Sequence, residues 1–222
     1  MCWSGGKDSA LALSALLRDP EWQVVELLTT VTEGYDRISM HGVRRELLEQ
    51  QAGALGLKLK IVLIPPQCVN ETYQQRMAET CAAYKALGIG HMAFGDLFLQ
   101  DIRDYRDAQM AKAGMTAIYP LWGQNTRQLA QEFIESGYRA TLCCIDPAQI
   151  GPEFCGHDFN AELLEKLPPS ADPCGENGEF HTFVWNGPDF THPVPCIKGE
   201  AVLRDNFWFC DLLPDSTQRQ AS

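Results

Sequence analysis

Six residues near the start of the chain, Ser4-Gly5-Gly6-Lys7-Asp8-Ser9, run straight into the apolar-periodic stretch Ala10 to Leu17. A turn with two adjacent glycines can bring consecutive backbone N–H groups onto one point with no Cβ in the way. The helix that follows leaves its first N–H groups unpaired and carries roughly half a unit of positive charge at that end. Such an end attracts an anion. Lys7 adds a full charge, and Ser4 and Ser9 add hydroxyls, so the segment reads as a cradle for phosphate groups. Asp8 would repel a phosphate unless a metal ion lay between them, which assigns it to a Mg²⁺ site. The common nucleoside-triphosphatase loop is excluded, because it places four residues between its first glycine and its Gly-Lys pair. The plainer alternative is a Ser/Gly turn that starts an ordinary helix, with Lys7 and Asp8 solvated.

A chain of 222 residues can hold one large domain, or a nucleotide-binding domain with a small appendage. No apolar run approaches the roughly 20 residues of a membrane span. No basic-then-apolar leader precedes the loop, so the expected compartment is the cytoplasm. The 9 cysteines lack paired zinc-knuckle spacing and are expected as free thiols. A formal net charge of -11 with no lysine or arginine cluster argues against a nucleic-acid partner, which would call for a basic face.

From the loop to about Pro120, β-rich runs alternate with helical patterns, which predicts a parallel sheet covered by helices. The strands are expected at Val24 to Val31, Leu59 to Ile64, Met92 to Phe94 and Thr116 to Tyr119. Helices are expected at Val43 to Leu55 and Glu71 to Leu87, with their apolar stripes in the core. The strand before the loop has only Met1, Cys2 and Trp3 where about five or six residues are usual. Either it is stunted or the sequence begins inside it, and an incomplete strand would deprive the sheet of hydrogen bonds and the cradle of support. Beyond residue 123 a smaller α+β unit is expected over 124–213. It should contain a helix at Thr126 to Ser136, a strand at Tyr138 to Ile145, and a short helix at Asn160 to Leu167 capped by Asp158. Strands should follow at Phe180 to Trp185, Ala201 to Arg204 and Phe207 to Cys210, and residues 214–222 read as a disordered tail.

A second polar cluster, Gly175-Glu176-Asn177-Gly178-Glu179-Phe180-His181-Thr182, brackets two carboxylates with glycines ahead of a strand. Glu176 and Glu179 are expected to point into one cleft, where they could hold an amine, orient a metal or act as a general base. The alternative is an exposed acidic turn. Taken with the Ser4–Ser9 loop, which resembles the PP-loop of the ATP pyrophosphatases, this segment resembles the diphthine-ammonia ligase (diphthamide synthase) family. His41-Gly42-Val43, Phe94-Gly95-Asp96 followed by Asp101 and Arg106, and Pro120-Leu121-Trp122 extend the likeness from residue 1 to about 210.

The resemblance implies an α/β fold, with a HUP-type parallel sheet at 1–123 and a smaller α+β unit that closes over the nucleotide. It also implies ATP and Mg²⁺ as cofactors, ammonia as co-substrate, and an acceptor carboxylate that is activated by adenylation with loss of pyrophosphate. Ser4, Gly5, Gly6, Lys7, Asp8 and Ser9 would hold the phosphates. Gly95 would let the chain pass close to the nucleotide, and Asp96 would meet ribose, Mg²⁺ or acceptor. His41 would contact phosphate or the adenylate, or be structural. Lys7, Asp8, Glu176 and Glu179 carry the chemistry in this reading. The acceptor is a small molecule or a protein, which is elongation factor 2 in archaea and eukaryotes. A homo-oligomer stays open. So do two rivals, a PP-loop enzyme acting on tRNA and a nucleotide-sensing HUP module that cleaves nothing.

Overall fold

The computed structural model describes residues 1–38, 41–215 and 217; residues 216 and 218–222 of the expected tail lie outside the described residues. The chain forms a mixed α/β structure with parallel sheet pieces in its first half and an antiparallel sheet in its second. Strands β1 (Glu26–Thr32) and β3 (Lys58–Ile64) pair in parallel along their whole length, from Glu26 opposite Lys58 to Thr32 opposite Ile64. Strands β4 (His91–Ala93) and β5 (Thr116–Ile118) form a second parallel pair.

Residues 1–3 lie between the two pieces. Trp3 N donates to Leu28 O (2.7 Å), Leu28 N to Met1 O (2.8 Å), and Cys2 N to Ala93 O (2.9 Å). Short as it is, the segment is hydrogen-bonded on both edges and gives the spatial order β3, β1, residues 1–3, β4, β5. Strand β2 (Arg37–Ile38) turns back against the end of β1. It thereby continues the edge that the chain leaves at Ser4.

Side chains alternate across these strands and feed two cores. Trp3 and Leu27 join a core shared with α1 (Lys7–Arg18), α2 (Arg45–Ala54), α5 (Thr126–Glu135), β6 (Arg139–Ile145) and β7 (Phe180–Asn186). Leu28 and Val62 join a smaller one with α3 (Asn70–Ala86) and α4 (Gln100–Lys112), through Cys81 and Met110. The first core passes from one half of the chain to the other without a break at residue 123. In the second half, β7, β6, β9 (Phe207–Pro214) and β8 (Cys196–Arg204) lie side by side in that order, each antiparallel to its neighbour.

Some sequence expectations need correction. Asp158 does not cap the short helix α6 (Ala161–Lys166). Asn160 does, accepting from Leu163 N at 2.9 Å, because a cap oxygen must sit directly before the first helical residue to reach that amide. Asp158 pairs instead with Thr141 (3.0 Å) and Lys198 (2.7 Å). Strand β8 begins five residues before Ala201, in a stretch whose flanking prolines read as loop, and residues through Pro214 belong to β9 rather than to a tail.

One buried side chain ties these parts together. Gln51, on α2, accepts from Trp3 Nε1 (3.0 Å) and donates to Gly5 O (3.0 Å) and Val184 O (2.5 Å). Leucine in its place would leave Trp3 Nε1 without its acceptor and take a donor from Val184 O and from Gly5 O, which keeps Val184 N; each group left unpaired costs about 1–3 kcal/mol before relaxation. Gln51→Leu should therefore lower the unfolding free energy by about 3 kcal/mol in urea titration, with little change in slope. A loss below about 1 kcal/mol would contradict this reading of the joint.

Candidate active site

The Ser4–Ser9 loop leaves the sheet at the carboxyl ends of its parallel strands, where open α/β sheets place their ligands. Gly5 has φ +76°, and a Cβ there would stand 2.7 Å from Leu48 Cδ2. Gly6 is extended (φ -91°, ψ 174°), so its glycine is required by space rather than by backbone angle. A Cβ on Gly6 would lie 3.0 Å from Thr182 O and 3.3 Å from His41 Cε1. Ser4 Oγ accepts from Gly6 N (3.2 Å), Ser9 Oγ donates to Gly6 O (2.8 Å), and Lys7 N donates to Thr182 Oγ1 (3.0 Å). Gly6, at the N-cap position, has no side chain to cap α1, and Thr182 takes the Lys7 amide. The field and the remaining donors at that end therefore face the cavity beside it.

That cavity has a volume of about 350 Å³ and is bounded by the loop, the ends of β1 and β4, and the segment leading into β7. Ser4, Gly6, Lys7, Asp8, Ser9, His41, Gly95, Asp96 and Glu176 all line it. Of the residues expected there, Gly5 lies behind the wall and Glu179 is turned away. Gly95 makes its close approach to the Asp8–Ser9 backbone, where a Cβ would meet Asp8 C at 3.0 Å, so it seats β4 against the cradle.

The two glutamates have separate places, which overturns the expectation of one shared cleft. Glu179 is 1 % exposed and accepts from Asp172 N (2.7 Å), Asn177 N (3.0 Å) and Asn177 Nδ2 (3.2 Å). The tight turn winds round this carboxylate, which pairs the turn's amides. Glu176 lines the cavity and accepts from Leu97 N at 2.8 Å. Burial, reinforced by the nearby Asp8 charge and opposed by the Leu97 hydrogen bond, pushes its carboxyl up to about 7.

Lys7 is also more enclosed than a solvated phosphate-binding lysine would be. Its Nζ donates to both oxygens of Asp8 (2.8 and 2.9 Å) and to Cys174 O, and lies 5.7 Å from the Phe180 ring centroid. Burial opposes its charge, but the Asp8 carboxylate outweighs that and holds the ammonium protonated. Asp96 is matched by Arg106, with Nη2 3.0 Å from Oδ1 and Nε 2.6 Å from Oδ2. Arg103 does not face the cavity; it stacks on Trp122, 4.6 Å from the ring centroid.

His41 and His181 stack with centroids 4.4 Å apart and planes at 25°. Burial, helped by the Lys7 charge, takes His181 down to about 4. Burial and the neighbouring His181 take His41 well below its ordinary value. Both imidazoles are neutral at pH 7. The segment that carries His41 is anchored from the far side, where Asp211 on β9 accepts from Arg37 (2.9 Å) and Arg44 (2.7 Å). Outside the Asp96–Arg106 ion pair, two buried polar atoms in the cavity wall, His41 Nδ1 and Thr29 Oγ1, have no hydrogen-bond partner among the described residues.

Sequence reasoning gave no role to Thr29, Thr30 or Thr182, and it placed Tyr73 in the core stripe of its helix, where the structure has it line the cavity. Thr29 and Thr30 had one available signal, their place at the carboxyl end of the strand next to the cradle. Thr182 stands in the quoted segment itself, as a hydroxyl beside two recognised groups.

Residues 1–117 match the family model for the diphthamide synthase N-terminal domain, and residues 125–212 match that for the diphthamide synthase C-terminal domain. Comparison with curated proteins gives no match.

The Glu176 shift has a thermodynamic sign. The unfolded chain releases this proton near 4.5 and the folded chain near 7, so between those values the folded state binds more protons. The contribution is fully present below 4.5 and is lost as pH rises through 7. Stability measured from pH 5 to 8 should fall more steeply in the wild type than in Glu176→Gln. Parallel profiles would contradict the assignment.

Proposed function

The chain belongs to the diphthamide synthase family, and from that premise we propose that it is an ATP-dependent carbon–nitrogen ligase that adenylates an acceptor carboxylate and passes ammonia to it. One observation carries the proposal: the N-terminus of α1 and Glu176 line a single cavity. In this reading Ser4–Ser9 is a PP-loop, residues 1–123 form a HUP-type nucleotide domain, and residues 124–213 form the unit that closes it.

The β- and γ-phosphates lie on the Gly6–Ser9 backbone. The Ser4 and Ser9 hydroxyls stand beside them, and Lys7 contributes its field from beneath. Thr29 Oγ1 and His41 Nδ1, buried without partners among the described residues, supply hydrogen-bonding groups that a nucleotide would satisfy. A Mg²⁺ ion fits this set in a limited way. Both Asp8 oxygens face Lys7 and Asp96 faces Arg106, so one or two carboxylates would join phosphate oxygens and water, as Mg²⁺ commonly requires. The ion would supply electrostatic stabilisation of the departing pyrophosphate.

An acceptor carboxylate oxygen attacks the α-phosphorus. A new O–P bond forms as the bond to the bridging oxygen breaks, and pyrophosphate leaves. The carboxylate, otherwise a poor acyl donor, now carries AMP as leaving group. Ammonia attacks the acyl carbon, the bond to AMP breaks, and the nitrogen gives up a proton. Glu176 is placed to take it, since a carboxyl tuned to about 7 is half ionised at neutral pH. The neutral His41–His181 pair accepts hydrogen bonds without competing for the loop's anion. Glu179 maintains the turn that presents Glu176.

Incubation with α-labelled ATP, ammonium and a cell extract should yield AMP and pyrophosphate in equal amounts, together with an amidated product. ADP, or binding without cleavage, would refute the ligase reading, and the latter would favour a nucleotide sensor. Glu176→Gln should reduce amide formation by about 10²- to 10⁴-fold while leaving ATP affinity intact. Undiminished product would remove Glu176 from the mechanism. Gly6→Ala, whose new methyl would press on Thr182 O, should instead weaken ATP binding by at least about tenfold.

A further inference from the structure

Among the described residues that line the cavity, the permanent cations are Lys7 and Arg106. An ammonium has three N–H donors. Those of Lys7 go to Asp8 Oδ1, Asp8 Oδ2 and Cys174 O, and the residue is 1 % exposed, so it has no donor left for a ligand. Arg106 does. Its Nε lies 2.6 Å from Asp96 Oδ2 in an ion pair, and its Nη2 donates to Asp96 Oδ1 (3.0 Å). The guanidinium also stacks on Phe94, 4.4 Å from the ring centroid. These contacts fix the plane of the group and engage one edge, while Nη1 has no protein hydrogen-bond partner among the described residues. A guanidinium stays charged throughout the working pH range, and its fork suits a phosphate as well as a carboxylate.

The loop brings this cation close to the phosphate cradle. Gly95 rests on the Asp8–Ser9 backbone, where a Cβ would lie 3.1 Å from Ser9 N, and Asp96 follows it directly. The guanidinium that Asp96 holds is therefore on the Ser9 flank of the cradle, whereas His41 and Thr182 stand at Gly6.

Building on the ligase reading, we propose that Arg106 is a further catalytic residue, whose free edge holds the α-phosphate of ATP and then of the acyl-adenylate. With the β- and γ-phosphates on the Gly6–Ser9 backbone, the α-phosphate is the next group along and has moved beyond the loop's own amides. It is also the phosphate whose charge grows. In ATP and in the acyl-adenylate it carries a single negative charge. When ammonia displaces AMP, the acyl carbon–oxygen bond breaks and its electron pair stays on the phosphate oxygen, leaving a monoester of about -1.5 to -2 charge at pH 7. A fixed, charge-assisted donor at that oxygen stabilises the departure more than it stabilises the adenylate, which is what accelerates a step. The acceptor carboxylate suits this edge less well, because an oxygen paired with a guanidinium is a weaker nucleophile toward the α-phosphorus.

The test measures binding of inorganic pyrophosphate, AMP and adenosine to the whole protein by calorimetry. The wild type should hold AMP at least about tenfold more tightly than adenosine. Arg106→Gln should remove that preference and leave the affinities for adenosine and pyrophosphate within about threefold of wild type. Arg106→Lys should recover part of the preference. Arg106→Gln combined with Asp96→Asn, which leaves no carboxylate unpaired, should behave as Arg106→Gln alone. An equal loss of all three ligands in both variants would make Arg106 a structural residue, and an AMP preference that survives Arg106→Gln would give its free edge to another group. Either result overturns the assignment and leaves the ligase reading standing. A wild type that binds neither pyrophosphate nor AMP would overturn both.

Discussion

The site is held by a seam in which strand β7, from the second half of the chain, lies against the loop formed by the first. Val184 N donates to Gly5 O (2.9 Å), and Thr182 Oγ1 accepts from Lys7 N. Gln51 bridges Gly5 and Val184 from below. These bonds occupy the loop groups that face the protein and leave the start of α1 open to the cavity. A cradle built this way cannot be a property of residues 1–123 alone, since its back wall arrives from residues 180–186. The core continues the same seam, with α1 and α2 packed among side chains from α5, β6 and β7.

The electrostatics of the cavity follow from how its charges are matched. An acidic chain is a poor host for a polyphosphate unless its local carboxylates are neutralised. Asp8 is paired with Lys7, Asp96 with Arg106, and Glu176 is pushed up to about 7 by burial. The histidine pair is held neutral by burial as well. With those charges offset, the field of the α1 terminus is left to act on an incoming anion. The same pairings account for the division of labour between the two glutamates. Glu179 is spent on backbone amides and shapes the turn, while Glu176 stays at the cavity with a proton it can exchange near neutrality.

Elements with strong local signals were legible from sequence. Alternation of β-rich runs with helical stripes revealed the parallel strands and their covering helices, and Gly5-Gly6 ahead of Lys7 marked the loop. Features that depend on partners distant in sequence were not legible. A three-residue strand at the start looks deficient until its hydrogen bonds to both β1 and β4 are seen. The spacing of Glu176 and Glu179 suggested joint action, and only the fold of the turn separates them. The second half of β8 was legible at Ala201 to Arg204, while its first five residues were hidden by the prolines ahead of them. The role of Asp211, far from the cavity in sequence and held by Arg37 and Arg44, carries no motif at all.

The central claim is that the Ser4–Ser9 backbone, backed by β7, receives the terminal phosphates of ATP. Amide chemical-shift mapping with a non-hydrolysable α,β-methylene analogue of ATP tests it most directly. The account predicts the largest shifts at the amides of Gly6 to Ser9, with smaller ones at Thr182 and at Thr29 and Thr30. Saturable shifts confined to the β8–β9 edge or another surface, with the loop amides unmoved, would contradict it.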